Sequence, residues 1–147
     1  MLEKWQTSLP VDNNMKVHHV GYLVKRIDNA IECLGRLGYC KESEIVYDDI
    51  REIDVCFLVK DGYRIELVSP LSNSSVVFGL FKQYRNSPYH ICYETDKFEA
   101  DIAELCANGY TLIEEPQPAP AFEHGKVGFL MSPEIGMIEI LDAAGLY

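Results

Sequence analysis

Cations are scarce in this chain of 147 residues. Thirteen Lys and Arg stand against 23 Asp and Glu, a formal net charge of −10. Phosphate backbones are held by clustered Lys and Arg, so the balance excludes nucleic acid as a partner, and a membrane surface with it. Long apolar runs are missing too. No segment approaches the ~18–20 apolar residues of a membrane span, and the opening MLEKWQTSLPVDNNMK lacks a signal-like core. A cytoplasmic protein is expected. Cysteine is present but unpaired in pattern: Cys33, Cys40, Cys56, Cys92 and Cys106 are odd in number and contain no Cys-x-x-Cys. That excludes a disulfide scaffold or a zinc knuckle, and each reads as a small core hydrophobe. The length itself points to one domain.

What is present is an internal repeat. Residues 19–39 (HVGYLVKRIDNAIECLGRLGY) align without a gap on residues 90–110 (HICYETDKFEADIAELCANGY) at an offset of 71. Each copy opens on a short strand-like run. Helical spacing follows, carried by Ile27, Ile31, Leu34 and Leu37 in the first copy and by Phe98, Ile102, Leu105 and Cys106 in the second. Asp28 and Asp96 lie near the helix starts, and Gly38 and Gly109 stand where a helix-terminating glycine belongs. The second halves, CFLVKDGYRIEL (56–67) and GFLMSPEIGMIEI (128–140), are each strand, turn and strand, with Asp61-Gly62 as a hairpin signal. Each copy therefore reads β-α-β-β-β, an α+β pattern. Module one covers 16–70 and module two 88–142, within one domain of residues 16–142. Residues 71–87 connect the modules, with a short helix expected over 76–84. Residues 1–15 form an N-terminal extension and 143–147 a tail.

Two residue types are out of place in the strands. His19 and His90 interrupt apolar runs, and Glu66 and Glu139 sit between aliphatic neighbours. A strand alternates faces, so each Glu points away from those neighbours. A lone glutamate of this kind usually faces water. Here the same His and Glu recur in both modules, and packing about a pseudo-twofold would bring all four together. Two imidazoles and two carboxylates suit Zn, Ni, Co or Mn, with Fe also possible. Such an ion acts as a Lewis acid on a carbonyl oxygen while a neighbouring carboxylate carries a proton.

The motifs His-His-Val-Gly (18–21), Ile-Glu-Leu-Val-Ser-Pro-Leu (65–71), Tyr-His-Ile (89–91) and Ile-Glu-Ile (138–140) resemble the vicinal oxygen chelate superfamily over residues 16–142. That superfamily includes glyoxalase I, methylmalonyl-CoA epimerase, extradiol dioxygenases and bleomycin-resistance proteins. The resemblance implies paired βαβββ modules curled into an open, barrel-like mixed sheet around a metal cleft. It also implies His19, Glu66, His90 and Glu139 as ligands of a divalent metal, and a homodimer. HHVGYLV, IELVSPLSNSSVVFGLFKQ (65–83), YHICYE and HGKVGFL (124–130) are most similar to the epimerase branch. For that branch the implied reaction is abstraction of a proton alpha to a carbonyl and its return to the opposite face. Glu139 would then be one base, with Glu66 beside it, on an acyl-CoA or related small molecule. Glu52 and Asp54 lie in the region where a second base is expected.

Two other functions fit the same ligands. A glyoxalase I-like lactoylglutathione lyase would act on a thiol adduct and need cations for its carboxylates, for which Arg51, Arg64, Lys82, Arg85 and Lys126 are available. A resistance-type protein would bind a small molecule without turnover.

Overall fold

A computed structural model describes residues 15–123 and 125–144. The tail beyond residue 144 lies outside them, as does the N-terminal extension apart from Met15. Module one contains β1 (Lys16–Leu23), α1 (Ile27–Arg36), β2 (Cys40–Lys41), β3 (Val46–Asp48), β4 (Ile53–Lys60) and β5 (Tyr63–Pro70). A connector helix, α2 (Phe78–Tyr84), follows where the sequence places one. Module two contains β6 (Ser87–Thr95), α3 (Phe98–Ala107), β7 (Thr111–Ala119), β8 (Gly125–Ser132) and β9 (Gly136–Asp142), with a 3-10 turn at Pro120–Phe122. The α+β reading and the two β-α-β-β-β units are thus observed. One strand differs: where module two has the continuous β7, module one has β2 and β3 in two pieces.

All nine strands of the described residues form one sheet, in the order β2-β4-β5-β1-β6-β9-β8-β7, with β3 beside β4. Within each module the first and last strands pair in parallel, β1 with β5 and β6 with β9. The modules meet at the antiparallel β1–β6 pair. That junction puts His19 and His90 on adjacent strands.

Local chemistry explains the elements. Both long helices end alike. Tyr39 N donates to Leu34 O and Tyr110 N to Leu105 O, each at 3.1 Å. The intervening Gly38 and Gly109 have φ of 97° and 99°, a left-handed conformation that glycine adopts without strain. Asp61 and Gly62, at φ 53° and 81°, close the β4–β5 hairpin.

The sheet is covered on both faces. Ile65 and Leu67 pack on the α1 side with Val24, Ile27 and Leu58. Ile138 and Ile140 pack on the α3 side with Phe98, Ile102 and Leu130. The opposite, concave face holds a third cluster that includes Leu23, Val55, Phe57, Val68, Cys92, Phe122 and Leu141. Glu66 and Glu139 therefore do not face water. They point into the concave face and are 5% and 3% exposed. Cys56 and Cys92 are core residues, but Cys33, Cys40 and Cys106 are exposed, contrary to expectation. Cys33 follows Ile31 by two positions, which turns it about 200° from the packed stripe. Leu37, past the end of α1, is exposed as well.

Candidate metal centre

The four residues singled out by the repeat come together. One donor atom from each of His19, Glu66, His90 and Glu139 lies within 4.8 Å of the others. His19 Nε2 is 3.2 Å from His90 Nε2, 3.1 Å from Glu139 Oε1 and 3.4 Å from Glu66 Oε1. His90 Nε2 is 3.1 Å from Glu139 Oε1 and 3.6 Å from Glu66 Oε1. Both imidazoles are fully covered.

Strand register explains the convergence. Gly21 on β1 lies opposite Glu66 on β5 and His90 on β6. His90 can lie there because Gly21 has no side chain: a Cβ would fall 2.5 Å from His90 Nε2 and closer still to two other ring atoms. Beside each imidazole the β1–β6 ladder slips by one residue. The extra residue is His18 on one strand and Tyr89 on the other, and these too are related by the offset of 71. A bulge re-aims side chains. His18 consequently stands edge-on to His19, with ring centroids 5.1 Å apart, and Tyr89 edge-on to His90 at 4.3 Å. The Nδ1 atoms of His18 and His19 are 2.8 Å apart.

The electrostatics follow from burial and proximity. Burial works against a charge on His19, but Glu66 and Glu139 outweigh it and raise its pKa to about 9. Burial favours a protonated Glu139, yet the two imidazoles hold its carboxyl well below the usual range. Burial, then the charges of His19 and Arg64, lowers His18 to about 4, so its ring is neutral at pH 7. A neutral His18 can accept from His19 Nδ1–H, which frees the His19 Nε2 lone pair for a cation.

Glu66 and Glu139 reach a cleft of about 270 Å³ whose walls are largely apolar, including Ile53, Val55, Phe122 and Phe129. Asp48, Arg51 and Glu114 also line it. The Arg51 guanidinium lies 2.9 Å from both Asp48 Oδ2 and Glu114 Oε1. The other anticipated cations are elsewhere. Arg64 bonds Glu42 and the His18 carbonyl. Lys126 pairs with Glu99 and lies over Phe98. Lys82 and Arg85 are exposed. Glu52, at φ 52°, accepts from Ser72 Oγ, and Asp54 is raised by burial and by Asp28. Neither lines the cleft. Glu114 escapes a search for repeats because the offset pairs it with Ser43, a mismatch.

A family described as the Glyoxalase/Bleomycin resistance protein/Dioxygenase superfamily matches residues 18–129. The chain is similar to mouse mitochondrial methylmalonyl-CoA epimerase, 24% identical over 132 residues, covering 89% of this chain and 73% of the relative. Its fold is similar to that of methylmalonyl-CoA epimerase from Mycobacterium tuberculosis. The TM-score there is 0.73 at 21% identity, covering 92% of this chain and 93% of that one. A variant of the Streptomyces coelicolor epimerase, solved in complex with 2-nitronate-propionyl-CoA, gives a TM-score of 0.72 at 17% identity, covering 86% and 95%. With the paired modules, the open sheet and a match over most of its length, the chain belongs to the glyoxalase/bleomycin resistance/dioxygenase superfamily, the vicinal oxygen chelate proteins.

Proposed function

We propose that this chain is a divalent-metal-dependent isomerase that moves a proton on the carbon next to a carbonyl, with a methylmalonyl-CoA-type thioester as substrate. The observation that carries the reading is the convergence of His19, Glu66, His90 and Glu139 at one end of an apolar cleft. The donor set fits a cation on physical grounds. Two imidazole nitrogens and two carboxylate oxygens crowd together with little water access. Glu139 Oε1 and His90 Nδ1 are buried without a hydrogen-bond partner. The single N–H that each Nε2 can carry cannot serve three partners at once, whereas a single cation can take all four lone pairs.

When bound, such an ion supplies Lewis-acid stabilisation of negative charge on a carbonyl oxygen. The protein's own groups do the rest. Ile53, Val55, Phe122 and Phe129 enclose the reacting end of the substrate and exclude water, which strengthens the local electrostatics. Glu139, with Glu66 beside it, carries the proton. The epimerase relatives favour this substrate class over a glutathione adduct, and the cleft chemistry agrees. Of the five basic side chains available for glutathione carboxylates, Arg51 alone lines the cleft, where two acids already hold it. We further infer one functional unit over residues 16–142, acting as a homodimer.

Solvent exchange tests the reading. Metal-loaded protein in D₂O with methylmalonyl-CoA should wash out the α-proton signal in NMR. Loss no faster than with metal-stripped protein would refute it.

A further inference from the structure

Inverting a carbon centre needs proton transfer on both of its faces, and Glu139 serves one. Two further carboxyl groups line the cleft outside the proposed ligand set, Asp48 and Glu114. Asp48 is 3% exposed and saturated: Oδ1 accepts from Ile50 N and Arg51 N at 3.1 and 3.0 Å, and Oδ2 takes the Arg51 guanidinium. Tyr89, also in the cleft, is half-buried, and desolvation there holds its proton far above the usual phenol range. Glu114 differs from both. Its side chain is 21% exposed, and one oxygen faces Arg51 at 2.9 Å.

Register places Glu114 opposite Glu139. Glu114 on β7 pairs with Phe129 on β8, and Phe129 pairs with Glu139 on β9. Cross-strand partners share a face, and strands two apart are separated by roughly 10 Å. That span holds a carbon flanked by two carboxylate oxygens at about 3 Å each. The β7–β8 ladder shifts on both sides of Glu114, and Ile113 and Glu114 both turn into the cleft. Module one differs at the equivalent place, which falls in the break between β2 and β3. Ser43 takes the place of Glu114, and its Oγ accepts from the backbone N of Phe57, the partner of Glu66. The pseudo-symmetry that duplicates the ligands therefore leaves one extra carboxylate, on one side of the cleft.

We propose that Glu114, steadied by Arg51, is the second proton-transfer group, working on the face of the α-carbon opposite to Glu139. The inference rests on the epimerase reading above. In one direction the Glu139 carboxylate takes the α-proton as the C–H bond breaks. The electron pair passes into the carbonyl as an enolate. The Glu114 carboxylic acid then returns a proton to the other face as the pair comes back to carbon. Turnover leaves Glu139 protonated and Glu114 ionised, and proton exchange with solvent resets both for the next substrate. Burial, despite Arg51, raises the Glu114 pKa, as such a shuttle requires.

The test uses metal-loaded full-length protein with each methylmalonyl-CoA epimer separately in D₂O. NMR reads α-proton exchange and chiral chromatography reads interconversion. Metal content and thermal midpoint are measured for every variant. Glu114→Gln should keep its metal and midpoint and lose roughly 10²–10⁴-fold in interconversion. It should still exchange the α-proton of one epimer at close to the wild-type rate. Interconversion at the wild-type rate would overturn the proposal, as would equal loss of exchange from both epimers with metal retained. Should Glu114→Gln fail to fold, Glu114→Asp decides: interconversion slowed more than single-epimer exchange supports the role, and equal slowing overturns it. Absence of exchange in the wild type would instead sink the epimerase reading itself, and this inference with it.

Discussion

Gly21→Ala adds one methyl group where His90 lies. Gly21 has ordinary strand geometry, so alanine is not strained by the backbone, and in a strand it should gain roughly 0.5–1 kcal/mol over glycine. The new Cβ, however, would sit 2.5 Å from His90 Nε2, well inside contact distance. The imidazole must swing out of the site, an overpacking cost of about 1–3 kcal/mol. The net loss is then at most about 2.5 kcal/mol. At about 2–4 °C per kcal/mol the thermal midpoint of the metal-free protein falls by no more than about 10 °C. Metal binding suffers more. Disturbing the supporting shell of a ligand costs about 10–100-fold in affinity, and moving the ligand itself should reach at least the upper end. The assay is chelator-competition titration beside a thermal melt, in wild type, Gly21→Ala, His90→Ala and the double variant. With His90 already truncated, Gly21→Ala should be neutral or stabilising, a coupling that appears only if the ring is what the methyl meets. Wild-type metal affinity in Gly21→Ala, or the same destabilisation in the His90→Ala background, would refute the reasoning.

Metal at about 100 times its dissociation constant should stabilise the protein by about 2.7 kcal/mol, or about 5–10 °C in a melt, and a chelator should reverse it. Because His19 is raised to about 9, uptake must expel its proton. Apparent metal affinity should therefore rise about tenfold per pH unit up to pH 9 and level off above; a flat profile from pH 6 to 9 would contradict this. In the metal-free protein the sign is opposite: stabilisation by the His19–carboxylate contacts is complete below about pH 6.5 and fades as pH rises through about 9, which melts across that window will show. His18→Phe keeps an aromatic ring against Phe57 and Phe122 but removes the partner of His19 Nδ1. It should cost about 10–100-fold in metal affinity with an unchanged midpoint. Arg51→Met strands Asp48 and Glu114, and a denaturant titration should find about 3 kcal/mol lost while metal content holds.

Most of the fold was legible because it is written twice. Ile27, Ile31 and Leu34 match Phe98, Ile102 and Leu105, and His19 and Glu66 match His90 and Glu139, so each weak local signal had a witness 71 to 73 residues away. Facing was legible as far as alternation goes: each Glu does point away from its aliphatic neighbours. What covers the other face is a long-range matter, and a strand pattern cannot tell a solvated face from one closed by Phe57, Phe122 and Leu141. The bulges at His18 and Tyr89 were hidden for a related reason. Alternation puts His18 and His19 on opposite faces, and only the slipped pairing with β6 lets their rings meet. The break between β2 and β3 likewise depends on what β4 accepts as a partner.

The repeat also explains why the acid opposite Glu139 was not found by sequence. Duplication delivers equivalent ligands, and a symmetric cage of two His and two Glu suits a spherical ion. A reaction that distinguishes the two faces of one carbon needs groups that the symmetry does not copy. Those lie where the modules disagree. Ser43 bonds the Phe57 backbone, whereas Glu114 meets Arg51. His18 supports its imidazole through nitrogen, whereas Tyr89 leaves His90 Nδ1 without a partner. In a chain built this way, positions that match under the offset point to what holds the metal, and positions that fail to match point to what handles the substrate.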